Sequence, residues 1–412
     1  MNEFPNFRSV PHTGVIYVME AAAKEGFIYG DQEWANLGQG APEAGPMAGA
    51  PERLSGFSLS ESSSEYAPVA GLREIREAVA ALYNERYRKG KASKYTYRNV
   101  AISPGGRSGL TRIAASLGSI NLGHFLPDYT AYEELLDVFR SFVPIPIVNE
   151  SMRMCDPERL SFEIVSRGLS AILLSNPVNP TGQAVSGENL EGWVKVAREL
   201  GCALIFDEFY SHYFYGELED PSTGLSACPY VEDVNEDPVL IVDGLTKNWR
   251  YPGLRLSWTC GPEKIIQRIS SAGSFLDGGA PHPIQQGVLS LLTRKVADQE
   301  AIAIRECFSK KRRFMIDKLL GWGINPDPMP VGGFYCFPSL EALPTRLHNG
   351  MDFFKEALKK KVITVPGAFF DVNPGRRRSH IPSRLRNHVR LSYGPPLAEL
   401  KLGMERIEEL FD

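Results

Sequence analysis

The chain has 412 residues, of which 43% are apolar and 23% charged, and this is typical of a globular enzyme with one large domain and a smaller companion or with two to three domains. The net charge of −4 argues against nucleic acid or an anionic membrane surface as the main partner. The six cysteines include no Cys-x-x-Cys pair, which indicates thiols in a reducing compartment and no metal site. Because no signal peptide or membrane-spanning apolar run is present, we expect a cytoplasmic protein with no membrane partner.

Short apolar runs alternate with longer amphipathic runs along most of the chain. Residues 1–50 are rich in Gly, Pro and Ala, and we expect them to form an irregular arm. Helices are predicted around residues 72–83, 190–200 and 285–295. Strands are predicted at residues 100–103, 124–126, 171–175, 203–206, 239–242 and 256–260. This alternation predicts an α/β fold with a mostly parallel sheet covered by helices on both faces.

A second region begins near residue 300. Its predicted helices lie at residues 302–320, 353–361 and 397–410, and its predicted strands at 362–365 and 389–392. These elements indicate a small α+β domain. We therefore predict three parts, namely residues 1–50 as an arm and part of the small domain, 51–298 as the large domain, and 299–412 as the small C-terminal domain.

The run from Gly244 to Arg255 contains an amine and a guanidinium separated by a short loop. Lys247 can form an imine once burial or a nearby cation has lowered its pKa. The planar fork of Arg255 suits a phosphate. Pyridoxal 5'-phosphate (PLP), an aldehyde that carries a phosphate, would use both groups, whereas the simpler alternative is a solvated basic turn.

Polar side chains also follow the predicted strands, and open α/β sheets bind ligands at the carboxyl ends of their strands. A turn with two prolines and a glycine at residues 176–182 can direct Asn179 into that crevice. Asp207 ends a buried strand and is followed by Tyr210. A buried carboxylate needs a cationic partner, which a protonated pyridine nitrogen, an arginine or a helix cap could provide.

Two further groups lie after the strands at 100–103 and 124–126. Gly106 and Arg107 open a helix, and the N–H groups at a helix N-terminus suit a phosphate. Tyr129 is placed where its ring could stack on a planar ligand, although a core tyrosine is the commoner case.

The order of these groups resembles the aspartate aminotransferase family, that is, class I/II aminotransferases of PLP fold type I, from about Leu37 to the end of the chain. The resemblance implies a large PLP-binding domain with a mostly parallel seven-stranded sheet, a smaller α+β domain, and a homodimer with shared active sites. It implies catalytic roles for Lys247, Asp207 and Tyr210, with a PLP aldimine on Lys247. The remaining implied contacts are Asn179, Arg255, Gly106, Arg107, Ser108, Tyr129, Thr246 and, across the dimer, Tyr66 for PLP, and Arg390, Gly40 and Asn179 for the substrate.

The implied reaction is ping-pong transfer of an amino group from an L-amino acid to a 2-oxo acid, with 2-oxoglutarate or pyruvate as one partner. The same cofactor chemistry also allows a carbon–sulfur β-lyase or an aminocyclopropane-carboxylate-synthase-like enzyme, and a non-catalytic PLP-binding regulatory module is a remote alternative. A second arginine for a substrate side chain cannot be placed by spacing, and Arg250, Arg377 and Arg378 are its candidates. An apolar alternative is a pocket formed by residues 274–279 of a neighbouring subunit with Trp34, Tyr213, Tyr215 and Phe369.

Two features depart from the family pattern. Gly244 stands where many relatives have a serine whose hydroxyl contacts the phosphate. The segment 375–386 is unusually basic, and it could order a lid, contact an acidic substrate, or form a solvated loop.

Overall fold

The structure is a computed structural model that describes residues 6, 10, 12, 14–148 and 151–411. Its helices are α1 (Gly14–Lys24), α2 (Arg73–Tyr87), α3 (Gly106–Ser116), α4 (Tyr132–Val138), α5 (Pro157–Arg167), α6 (Gly187–Leu200), α7 (Glu263–Leu276), α8 (His282–Gly287), α9 (Arg294–Gly321), α10 (Gly350–Lys359) and α11 (Leu397–Glu408). Its strands are β1 (Ala35–Asn36), β2 (Val100–Ser103), β3 (Asn121–Leu126), β4 (Val143–Val148), β5 (Leu169–Ser175), β6 (Ala203–Asp207), β7 (Val239–Gly244), β8 (Ser257–Cys260), β9 (Tyr335–Cys336), β10 (Val362–Ile363), β11 (Val365–Pro366) and β12 (Val389–Ser392).

The main sheet has seven strands in the order β2-β8-β7-β6-β5-β3-β4. All neighbours from β7 to β4 are parallel, and only β8 runs antiparallel to its two neighbours. In β5, Ile172 and Leu174 enter one core cluster while Ala171 and Leu173 enter another. Because successive side chains point to opposite faces, both faces of the sheet are buried, which confirms the predicted α/β fold with its mostly parallel seven-stranded sheet.

A second core lies among α9, α10, α11 and a small three-stranded sheet in the order β11-β12-β9. The parallel pair β1–β10 brings residues 35–36 of the N-terminal region into this part of the molecule. The predicted boundary between residues 298 and 299 falls inside α9. The division into three parts remains a prediction.

Several elements differ from the predictions. The prediction of an irregular arm is wrong at residues 14–24, which form α1. The prediction of a single helix at residues 285–295 is also wrong, because α8 ends at Gly287 and α9 begins at Arg294. The strand at 362–365 is divided because Ile363 pairs with Asn36 whereas Val365 pairs with Arg390 in another sheet.

Strand β4 was not predicted, because its sequence contains Pro144 and Pro146. Proline cannot donate to the ladder and is tolerated on an edge strand, which is the position of β4 in the sheet order. Throughout the described part of the chain, every helix is too short or too polar to cross a membrane.

Candidate active site

A cavity of about 440 Å³ lies at the carboxyl ends of the main strands, beside the small sheet. Its lining includes most of the residues predicted for the site, and it joins segments from residue 15 to residue 390 of the chain. The predicted residues in this lining are Gly40, Gly106, Arg107, Tyr129, Asn179, Asp207, Tyr210, Thr246, Lys247, Arg255 and Arg390.

Lys247 follows β7 and is half-buried in this cavity, where its Nζ donates a hydrogen bond to the Gly40 carbonyl. Burial lowers the pKa of Lys247 to about 7, and the positive charges of Arg390, Arg107 and Arg255 contribute to this shift. An amine with this pKa is present in its neutral form near pH 7, so it can act as a nucleophile or a base.

Asp207 ends β6, and its carboxylate faces the same cavity. Its Oδ2 accepts a hydrogen bond of 2.9 Å from the Tyr132 hydroxyl, and burial raises the pKa of Asp207 to about 6. None of the described residues forms an ion pair with it. A buried carboxylate of this kind suits a cationic ligand atom, as the sequence predicted.

A chain of hydrogen bonds joins the two sides of the cavity. Asn179 Nδ2 donates to the Tyr210 hydroxyl at 3.2 Å, and that hydroxyl lies 3.0 Å from the Tyr335 hydroxyl. Asn179 Oδ1 accepts from Arg390 Nη1 at 3.0 Å. The Asn179 amide therefore positions both Tyr210, which is predicted to bind the cofactor, and Arg390, which is predicted to bind the substrate.

Arg390 is 1% exposed, and it comes from β12 of the small sheet. Its Nη2 donates to the Gly38 carbonyl at 2.8 Å, and its guanidinium carbon lies 4.3 Å from the centroid of the Tyr335 ring. Its Nε has no hydrogen-bond partner, and no described carboxylate pairs with Arg390. A buried guanidinium with a free donor is suited to a carboxylate ligand.

The opposite end of the cavity has the features of an anion site. Arg255 lies so close to Gly105 that a Cβ atom on this glycine would be 2.3 Å from Arg255 Nη2. Gly106 begins α3 there, and a Cβ atom on Gly106 would be 2.5 Å from the ring of Phe209. The buried Thr246 Oγ1 has no hydrogen-bond partner. An unpaired hydroxyl, an arginine and a helix N-terminus fit the phosphate of PLP.

Of three other residues predicted to contact PLP, one lines the cavity and two lie outside its lining. Arg107 is exposed and donates to the Tyr129 hydroxyl at 2.9 Å. Ser108 is outside the cavity lining, and its hydroxyl donates to the Pro104 carbonyl at 3.4 Å. Tyr66 also lies outside this lining and is 97% exposed, so its contact with a neighbouring subunit remains a prediction.

The candidates for a second substrate arginine are not in the cavity lining. Arg250 is fully buried and pairs with Glu300 at 2.6 Å, and Arg378 pairs with Asp371 at 2.8 Å. Arg377 is exposed in the basic segment.

The residues predicted to line an apolar pocket lie in different parts of the structure. Trp34 lines another cavity, and the Tyr213 hydroxyl donates to the Lys247 carbonyl at 3.0 Å. The Tyr215 hydroxyl donates to the Gly333 carbonyl, and Phe369 packs against Gly14. The contribution of residues 274–279 from a neighbouring subunit remains a prediction.

Sequence reasoning did not single out Tyr132 and Tyr335. Tyr132 stands three positions after Tyr129, so the start of a helix at that point was the available signal. Tyr335 begins the short strand β9, two positions after Gly333, and no local pattern connects it with Tyr210.

The chain is similar to known proteins over almost its full length. The family model for aminotransferase class I and II matches residues 32–407. A probable aspartate/prephenate aminotransferase of Thermus aquaticus is 26% identical over 359 residues, which are 85% of each chain. An aspartate aminotransferase of Sulfurisphaera tokodaii is 24% identical over 397 residues, which are 92% of this chain and 90% of the relative.

Solved structures show the same fold. An aminotransferase from Mycobacterium tuberculosis has a TM-score of 0.78 at 20% identity and covers 98% of this chain and 97% of its own. The aspartate aminotransferase of Thermus thermophilus with maleate has a TM-score of 0.77 at 21% identity, over 98% of this chain and 100% of its own. The chain therefore belongs to the class I and II aminotransferases, which are PLP-dependent enzymes of fold type I.

Proposed function

We propose that this enzyme moves the amino group of an L-amino acid to a 2-oxo acid in a ping-pong reaction at Lys247, with 2-oxoglutarate or pyruvate as one partner. The observation that carries the proposal is that one cavity holds a lysine of pKa about 7, a buried carboxylate and a buried arginine that no described carboxylate pairs with. The relatives reported above are named aminotransferases, which favours amino transfer over elimination or a regulatory role.

The residues present fit PLP. Thr246, Arg255 and the N-terminus of α3 would hold its phosphate, and Asp207 would hold its pyridine nitrogen. Asn179 and Tyr210 would donate hydrogen bonds to its phenolic oxygen. When bound, PLP supplies a carbonyl that reacts with amines and a ring that accepts electrons.

The protein's own contribution is to position the amino acid and to move one proton. Arg390 would bind the α-carboxylate through its guanidinium, which Asn179 and the Gly38 carbonyl hold in place. The neutral Lys247 amine would then remove the α-proton at its Nζ and later return that proton. Burial and, after it, the nearby positive charges support this role, because together they keep the pKa of Lys247 low enough for a base at neutral pH.

Aspartate is the first donor to test, because relatives are named for aspartate or for aspartate and prephenate. Glutamate is the second, because it is the amino acid that corresponds to 2-oxoglutarate. We also propose that the protein is a homodimer, in which the exposed Tyr66 of one subunit would contact the PLP of the other. Six free cysteines, four of them buried, support the proposed cytoplasmic location.

The test is an absorbance scan of the purified holoenzyme with a panel of amino acids. We expect one donor to shift the visible band of the bound cofactor and 2-oxoglutarate or pyruvate to restore it. Release of pyruvate and ammonia without an acceptor would instead indicate a lyase. A band unchanged by every donor would contradict amino transfer, and an identical spectrum for Lys247→Ala would contradict the role of Lys247.

A further inference from the structure

Asp128 is a buried carboxyl group that the proposed reaction does not use. It lies in the turn between β3 and α4 and is 0% exposed. None of the described lysines, arginines or histidines forms an ion pair with it. Burial raises the pKa of Asp128 to about 8, so the group is mostly uncharged near pH 7. Its influence on the active site therefore depends on its hydrogen bonds.

One oxygen of Asp128 joins the ends of two neighbouring strands. Its Oδ1 accepts a hydrogen bond of 2.7 Å from the Tyr129 backbone N–H and one of 2.6 Å from the Ser175 hydroxyl. Ser175 is the last residue of β5, and its Cα pairs in register with that of Asp207 in β6. The carboxyl group thus fixes the turn after β3 against the strand that lies beside Asp207.

The Ser175 hydroxyl extends this arrangement to Asn179. It has one hydrogen, which it donates to Asp128, and its oxygen accepts the Asn179 backbone N–H at 3.1 Å. A hydroxyl that donates to one partner becomes a better acceptor for another. The side chain of Asn179 is the amide that contacts Tyr210 and Arg390. The direction of this amide therefore depends on a backbone turn that Ser175 and Asp128 hold.

The other hydrogen bond of Asp128 holds the turn that carries Tyr129 and Tyr132. The Tyr129 ring is predicted to stack on the cofactor, and the Tyr132 hydroxyl donates to Asp207. Asp128 itself lies outside the lining of the active-site cavity. It can therefore affect a bound cofactor only through these neighbours.

We propose that Asp128 is a positioning residue for PLP, which holds both the turn of Tyr129 and, through the Ser175 hydroxyl, the turn of Asn179. This proposal rests on the roles at the cofactor ring that are proposed above for Tyr129 and Asn179.

The test is a pH titration of the visible band of the holoenzyme, with no amino acid present. A hydrogen-bond donor at the phenolic oxygen of PLP favours the form whose imine nitrogen has no proton, so loosening Asn179 should raise the midpoint. We expect Ser175→Ala to raise it by about one pH unit and to weaken PLP binding about tenfold. Ser170→Ala, at an exposed position of the same strand, is the control and should change neither quantity.

Substitutions of Asp128 separate its hydrogen bonds from its charge. Asp128→Asn keeps an oxygen that can accept from Tyr129 and Ser175, so the midpoint should stay close to that of the wild type. Asp128→Ala removes this acceptor and should raise the midpoint as much as Ser175→Ala does. The double variant should show no larger shift than Ser175→Ala alone, because both substitutions act on the midpoint through Asn179.

An unchanged midpoint in Ser175→Ala would overturn the proposal, and this variant decides the matter if Asp128→Ala does not fold. Equal shifts in Asp128→Asn and Asp128→Ala would also overturn it, because they would assign the effect to charge. A larger shift in the double variant would exclude the route through Ser175. Because no amino acid is added, these results are independent of whether amino transfer is detected.

Discussion

The hydroxyl oxygens of Tyr210 and Tyr335 lie 3.0 Å apart in the buried wall of the active site. Tyr210 also accepts a hydrogen bond from Asn179, and the Tyr335 ring packs against the guanidinium of Arg390. Tyr335 therefore positions both the hydroxyl proposed to bind the cofactor and the arginine proposed to bind the substrate. It is a positioning residue whose two contacts can be separated by substitution.

Tyr335→Phe should remove the contact with Tyr210 and leave the contact with Arg390 intact. It removes the hydrogen bond to Tyr210 but keeps the aromatic ring against Arg390, so we expect kcat to fall about fivefold with little change in KM. Tyr335→Leu removes both contacts and should also raise KM. Steady-state kinetics of the two variants check this, and equal KM values for Phe and Leu would contradict the role of the ring.

Lys247 should react as a neutral amine at unusually low pH. In the cofactor-free protein, its rate of modification by an amine-selective reagent should rise with a midpoint near its pKa of about 7, whereas an ordinary lysine has a pKa of about 10.4. Peptide mass mapping of the modified site measures this rate. Lys247→Ala should lose the fast phase and reduce amino transfer at least about a hundredfold. A midpoint near that of ordinary lysines would contradict the proposal.

Asp207→Asn should stabilise the cofactor-free protein while it impairs catalysis. The pKa of Asp207 is raised to about 6, so the folded state holds a proton that the unfolded state has lost, and stability falls as pH rises from about 4 through about 6. Asparagine removes this penalty, which amounts to at most about 3 kcal/mol at neutral pH. Thermal unfolding at pH 4 and pH 8 measures the difference, which should be larger at pH 8. Lower stability than the wild type at pH 8 would contradict this account.

Arg390→Lys should raise the KM for the amino donor about thirtyfold, because an ammonium cannot form the paired hydrogen bonds of a guanidinium with a carboxylate. Cofactor affinity should change little, since Arg390 is assigned to the substrate. Arg377→Ala, in the exposed basic segment, is the control and should leave KM unchanged. An equal effect of the two substitutions would mean that Arg390 does not bind the carboxylate.

Gly244→Ser should not create the serine–phosphate contact that the family resemblance implies at this position. A Cβ atom at Gly244 would lie 2.6 Å from both the Leu256 carbonyl oxygen and the Ser257 Cα, and these backbone atoms cannot move aside easily. We expect a loss of about 1–3 kcal/mol in the free energy of unfolding. Gly253→Ser, where no atom lies within 4 Å, is the control for denaturant unfolding. Unchanged stability together with tighter cofactor binding would contradict this expectation.

The sequence by itself determined six of the seven strands of the main sheet and the chemistry at their ends. Both depend on residues that are close in sequence, because short apolar runs form buried strands, Asp207 ends one such strand, and Lys247 lies in the turn after another. The family resemblance added Arg390 and Tyr210 in the same way, from short motifs.

Only the tertiary structure decided which other residues hold Tyr210 and Arg390 in place. Tyr335 and Tyr210 are separated by 125 positions, and the Arg390 hydrogen bond to Gly38 spans 352 positions, so no local pattern encodes either contact. The same holds for β4, whose prolines are allowed only because folding leaves that strand at the edge of the sheet. It also holds for Arg250, whose pairing with Glu300 makes it part of the buried core and removes it from the candidates for substrate binding.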